Sequence, residues 1–177
     1  MQESSYKQYT EQAKLCYEED KAFEAKLYIE YAFVKLEAGN KEEAFKTMEI
    51  AMKTYSKDKE DEYISFLFEI CYYLIKYKQV DKCSEIIKNA VDMAILIQNN
   101  RLIEEAYYIS GLVAIEQKNQ ISAEMNMSIS LDYLKKVGSK EELYKRYIKL
   151  GDMYYKFGNV KDSLKYFNQA LAISKYI

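Results

Sequence analysis

Histidine, tryptophan and proline are absent from this 177-residue chain, and glycine occurs five times. Without histidine there is no Ser-His or Cys-His dyad, no imidazole base and no histidine metal ligand. Without proline, and with so few glycines, the many tight turns of a small β-sandwich or barrel cannot be built. Long helices need few such breakers. Cysteine is sparse and odd in number: Cys16, Cys71 and Cys83 make no disulfide framework and no zinc pattern, and they fit a reducing cytosol. Arginine occurs only at Arg101 and Arg146, which leaves little bidentate phosphate or base recognition. Lys plus Arg is 26 against 28 Asp plus Glu, so the basic balance of a nucleic-acid-binding domain is missing too. The polar start, Met1-Gln2-Glu3-Ser4-Ser5, lacks a signal-peptide core. The most apolar stretch, Ile64 to Ile75, is short and is interrupted by Glu69, so no membrane span is expected. These absences point to a cytoplasmic, cofactor-free chain with no direct nucleic-acid contact.

What is present is globular. Apolar residues make up 49% and charged residues 31%, in a length that suits a single domain over residues 1–177. Helical stripes run throughout, as in Tyr28, Tyr31, Ala32 and Lys35, and again in Tyr147, Leu150, Gly151 and Tyr154. Breaks are predicted at Ala38-Gly39-Asn40, Ser56 to Asp61, Tyr77-Lys78-Gln79, Gln98-Asn99-Asn100, Gln117-Lys118-Asn119, Val137-Gly138-Ser139 and Phe157-Gly158-Asn159. Breaks about twenty residues apart imply helical hairpins in series.

The hairpins repeat. Gly39-Asn40, Lys78-Gln79, Lys118-Asn119 and Gly158-Asn159 recur at spacings of 39, 40 and 40 residues. In that register three columns are small throughout. They are Ala32, Cys71, Gly111 and Gly151; then Ala44, Cys83, Ala123 and Ser163; then Ala51, Ala90, Ser130 and Ala170. Ala, Gly, Ser and Cys are only about a fifth of the chain, so chance explains such columns poorly. A large apolar column lies between the last two: Met48, Ile87, Met127 and Phe167. Small facing residues let antiparallel helices approach, and the large residue is expected to fill the gap toward the neighbouring hairpin. Each hairpin then needs the next to cover its apolar face, which is the logic of a solenoid.

The last repeat reads Tyr147-x2-Leu150-Gly151-x2-Tyr154, then Ser163-x3-Phe167-x2-Ala170. This resembles the tetratricopeptide repeat pattern, aromatic-x2-L-G-x2-Y followed by A-x3-F-x2-A. The third copy is partial (Tyr107, Gly111, Ala123, Met127, Ser130), and the first two keep mainly the small slots. Two departures stand out: the period is 39–40 instead of 34, and Lys175 stands where the family has proline. The resemblance implies an all-α, right-handed α-solenoid of helix-turn-helix hairpins. Its expected parts are an N-terminal half-repeat over 1–20 and repeats over 21–58, 59–99, 100–139 and 140–177. Long periods of this kind occur in bacterial peptide-sensing regulators and in some adaptors. The abundance of Lys, Ile, Tyr and Asn fits an AT-rich bacterial source. The half-repeat start, and the stop directly after a second helix, lead us to expect a piece of a longer protein or an end covered by self-association.

In the family, the first helices line a concave groove for a peptide or helix. Carried over by position, that surface here has three rows. They are Ile29, Phe68, Tyr108 and Ile148; Phe33, Tyr72, Leu112 and Asp152; and Leu36, Ile75, Ile115 and Tyr155, with Lys149 beside them. The resemblance therefore assigns peptide or protein binding to Ile29, Phe33, Phe68, Tyr72, Tyr108, Leu112, Ile148, Lys149, Asp152 and Tyr155. The Lys and Asn of the family's chaperone-binding clamp are replaced by apolar residues, which argues against a co-chaperone. Three readings of the apolar rows stay open: core packing, a groove for a hydrophobic peptide or amphipathic helix, or a homodimer face. Lys145, Lys149 and Lys156 lie toward one end, and Glu30, Glu37 and Glu69 toward the other, either as a dipolar groove or as ordinary solvated surface. Cys71 and Cys83 occupy small slots of one hairpin and read as buried thiols more readily than as a redox switch. The pairs Glu42-Glu43, Glu104-Glu105 and Glu141-Glu142 fit first helical turns, where the dipole favours them, better than an acid/base dyad. With no nucleophile–base pair and no metal pattern, the expected role is a non-enzymatic interaction module: the peptide-sensing part of a bacterial regulator, or alternatively a stand-alone scaffold.

Overall fold

The structure, a computed structural model, describes residues 21–57 and 59–177. The expected half-repeat over 1–20, with Cys16, lies outside the described residues. Within them the chain is an all-α repeat of helical hairpins, and no strand occurs. The helices are α1 (Lys21–Glu37), α2 (Lys41–Thr54), α3 (Glu60–Lys76), α4 (Val80–Leu96), α5 (Asn100–Glu116), α6 (Gln120–Val137), α7 (Lys140–Lys156) and α8 (Val160–Ser174). Every predicted break coincides with a connection between two helices, and three overlap a helix end by one or two residues: Asp61 lies in α3, Asn100 opens α5 and Val137 closes α6.

The hairpin turns follow from two adjacent residues. Gly39, Lys78, Lys118 and Gly158 all have positive φ, between 57° and 82°. These are the four positions that set the repeat register. A left-handed residue reverses the chain at the helix end, and glycine tolerates it best. In three of the four turns the next residue is asparagine. The Asn40 N–H donates to the Lys35 carbonyl at 2.9 Å, closing the Schellman turn that ends α1. The Asn40 side chain then accepts from the Glu43 N–H and caps α2. Asn119 and Asn159 make the same two contacts, the first with Ala114 and Ser122, the second with Tyr154 and Asp162. One residue type thus ends one helix and starts the next. Gln79, in the remaining turn, makes no side-chain cap.

The chain divides between Tyr77 and Lys78 into two compact units. In the first, Phe33 of α1 stacks on Tyr73 of α3, with ring centroids 3.7 Å apart. The Tyr77 hydroxyl donates to Glu37. Tyr55 stacks on Phe66 at 4.4 Å and locks the α2–α3 connection. In the second unit, α5 packs on α6, α7 on α8, and α4 and α7 lie against neighbouring hairpin helices. The α7 N-terminus is a capping box in which Ser139 and Glu142 satisfy each other's backbone N–H.

All twelve residues of the small columns are buried. In the large column Met127 and Phe167 each cover the glycine of their own hairpin, and Met127 also belongs to the buried cluster that includes Tyr147, Leu150 and Met153 of the next one. A Cβ on Gly111 would stand 2.8 Å from Met127 Cγ, and one on Gly151 would stand 2.6 Å from Phe167 Cε1. The glycines therefore let α5 meet α6, and α7 meet α8, at a distance where an alanine Cβ would have to displace the covering side chain. Burying a side chain such as Met127 contributes roughly 1.5–3 kcal/mol.

Candidate binding surface

The three rows of first-helix residues meet different environments. Ile29, Phe33, Phe68 and Leu36 are buried in the first unit, where they are core. Tyr72, on α3, is exposed. In the second unit Tyr108, Leu112 and Ile148 are half-buried and pack against the core, as does Ile115. Lys149 is half-buried, while Asp152 and Tyr155 are exposed, Tyr155 at 68%. The second unit therefore presents a partly apolar strip on α5 and α7 that ends in an open tyrosine.

A buried polar network supports that strip. Glu104 of α5 and Arg146 of α7 are both buried and pair at 2.7 Å. Ser130 of α6, fully buried, donates to the Glu104 carboxylate at 3.0 Å and accepts from the Arg146 guanidinium. The same guanidinium sits over the Tyr108 ring, its Cζ 3.5 Å from the centroid, in a cation–π contact. Burial pushes the Tyr108 hydroxyl pKa up. At the N-terminal ends of the same two helices, Arg101 pairs with Glu142. That guanidinium, together with the Ser139 N–H, holds the Glu142 carboxyl down at about 2. Both arginines of the chain thus join α5 to α7.

This network corrects the reading of Glu104-Glu105 as a first-turn pair. The α5 helix begins at Asn100 and has no acidic residue in its first turn; Glu104 points into the interior instead. Glu42, Glu43, Glu141 and Glu142 do lie in first turns. The signal for the network was present in the numbering. Arg101 and Glu142 are 41 residues apart, and Glu104 and Arg146 nearly the same, each one or two residues more than the repeat period.

Two of the charges expected at the ends of the groove are paired locally. Lys145 pairs with Glu141 at 2.6 Å, and Glu37 accepts from Tyr77. Cys71 and Cys83 are both fully buried in small slots of one hairpin. Among the described residues there is no cluster of three metal-ligating side chains, and no helix is long and apolar enough to cross a membrane. The outer face of α8 carries exposed Val160, Leu164 and Leu171 at helical spacing.

The fold and this surface define a class, the all-α proteins built from repeated helical hairpins. No family model matches the sequence, and no curated protein shows significant similarity to it. Among solved structures, the crystal structure of BtubC (BKLC) from P. vanneervenii is similar, with a TM-score of 0.72. That match covers 98% of this chain and 72% of BtubC at 15% identity, and the likeness is one of fold.

Proposed function

We propose that the chain is a tetratricopeptide-like, non-enzymatic module of a bacterial cytoplasmic protein that binds a peptide or partner segment. The observation that carries this reading is the strip on α5 and α7. Tyr108, Leu112 and Ile148 lie half-open beside exposed Asp152 and Tyr155, above a helix pair fixed by two arginine–carboxylate links. Tyrosine supplies large contact area at low entropic cost, and a rigid backing reduces the ordering penalty of binding. Asp152 and Lys149 give the strip one charge of each sign, which suits a segment with polar ends and an apolar middle. The tetratricopeptide resemblance supports the same face, because it places ligands against first helices. Its long period favours the sensing part of a regulator. A scaffold that recruits a protein partner is the second reading, and the exposed apolar face of α8 favours it, or a homodimer, because that face offers a further contact surface.

The test is substitution at open positions, where the fold is not at stake. Tyr155→Ala and Asp152→Ala should each lower retention of the peptide or protein that co-purifies with the chain at least tenfold, with circular dichroism unchanged. Unchanged retention in both variants would remove the α5/α7 strip from consideration.

A further inference from the structure

Between α4 and the α5·α6 hairpin lies a cavity of about 300 Å³. Its floor is apolar and buried, with Ile87 and Val113. Half-buried Tyr107, Ser110 and Asn126 form its walls. Tyr107, Ser110 and Ala114 form one stripe of α5, different from the Tyr108, Leu112 and Ile115 stripe of the binding strip.

The repeat register explains why the space is open. In the last hairpin Tyr147, Tyr154 and Tyr166 form an aromatic stack. The Tyr166 ring lies 6.2 Å from Tyr147 and 5.4 Å from Tyr154, nearly parallel to the latter at 9°. One period earlier, the same three positions hold Tyr107, Ala114 and Asn126, and buried Leu150 is replaced by Ser110. Two of three rings are missing, and the cavity is lined by the residues that replace them. In the second repeat the corresponding residues are Leu67, Leu74 and Ile86, all large and buried. Of the last three hairpins, the third is thus the one whose own side chains leave this position unfilled.

The polar groups left there are neutral. Ser110 donates to the Ala106 carbonyl at 2.9 Å and keeps lone pairs to accept with. Among the described residues, none hydrogen-bonds the Tyr107 hydroxyl or the Asn126 amide. At the rim, exposed Lys88 and Asp92 contribute one charge of each sign. The size is at the lower end of small-ligand pockets, with an apolar floor and a few convergent polar groups.

We propose that this cavity binds an uncharged aromatic ring carrying a hydrogen-bonding group, a free phenol or the tyrosine side chain of a peptide. The ring takes the place that Tyr154 and Tyr166 hold in the next hairpin. The site is separate from the α5/α7 strip and does not rest on it.

The test is NMR titration of the isotope-labelled full chain with two probes, p-cresol and acetyl-Gly-Tyr-Gly-amide. Saturable shifts are expected at Tyr107, Ser110 and Asn126. Ser110→Leu and, separately, Asn126→Tyr introduce the residues that the last hairpin carries, and each should weaken binding at least tenfold while helicity is retained. Tighter binding of the peptide would assign the ring to a peptide partner, and equal binding would assign it to a free aromatic molecule; both support the site. Absence of saturable shifts with either probe, or undiminished binding in both variants, would overturn the proposal.

Discussion

Glu104 shows at the scale of one residue how a charge can hold a repeat protein together. A buried carboxylate is tolerated only because Arg146 and Ser130 satisfy it. Removing one partner leaves the other charge buried and unpaired. Arg146→Met should therefore cost about 3–5 kcal/mol in urea unfolding. The double variant Glu104→Leu with Arg146→Met should cost clearly less than the sum of the single changes, and strict additivity would contradict the pairing. The two interface glycines make an opposed pair. Alanine gains about 1 kcal/mol of helix propensity over glycine at either site. At Gly111 the obstacle is the flexible Met127 chain, which can give way; at Gly151 it is the rigid Phe167 ring. Gly111→Ala should be near neutral and Gly151→Ala destabilising by about 1–2 kcal/mol, measured by thermal unfolding. Glu142 adds a pH dependence. Its carboxyl is lowered to about 2, so its contribution is present above the ordinary carboxylate range and is lost as pH falls toward 2. A third of the side chain is exposed, so screening limits this to about 1 kcal/mol. Glu142→Gln should flatten the stability profile between pH 4.5 and 2.

At the scale of the element, the hairpin turn is the unit that repeats. Each needs a left-handed residue and a cap, and only the first and last have the Gly-Asn pair that suits both demands. Lys118 takes the left-handed conformation with a Cβ, and Gln79 makes no cap. Lys118→Gly should stabilise by about 0.5–1 kcal/mol, the released strain outweighing the added chain entropy. Gln79→Asn should add about 1 kcal/mol through the missing cap. Denaturant midpoints of the two variants check both values, and a drop in either would show that the turn is not strained or not uncapped as described. These turns are legible in the sequence because backbone conformation depends on local residue types. The repeat register found from Gly39, Lys78, Lys118 and Gly158 is the register of the left-handed residues within the hairpin turns; Gln98, also left-handed, lies between two hairpins.

At the scale of the whole molecule, legibility is uneven for a physical reason. The small columns could be read because helix approach demands small volume at fixed spacing, and all twelve positions are buried. That Met127 and Phe167 also cover the glycines of their own hairpins could not be read, since it depends on the tilt of the Cα–Cβ bond against a partner helix rather than on spacing. Glu104 was hidden for a related reason: adjacent carboxylates look alike in sequence, yet one faces solvent less than the other. Of the first-helix rows, Ile29, Phe33 and Phe68 are packed inside, whereas Tyr72, Asp152 and Tyr155 are open, and hydrophobicity alone does not separate the two groups. The central claim is that these hairpins exist to hold a peptide or partner segment. Native mass spectrometry of the protein isolated from its own cells tests it most directly. The account predicts a mass above that of the bare polypeptide, carrying a peptide or protein that is lost in Tyr155→Ala. A bare chain in the wild type, or an identical bound mass in wild type and variant, would contradict it.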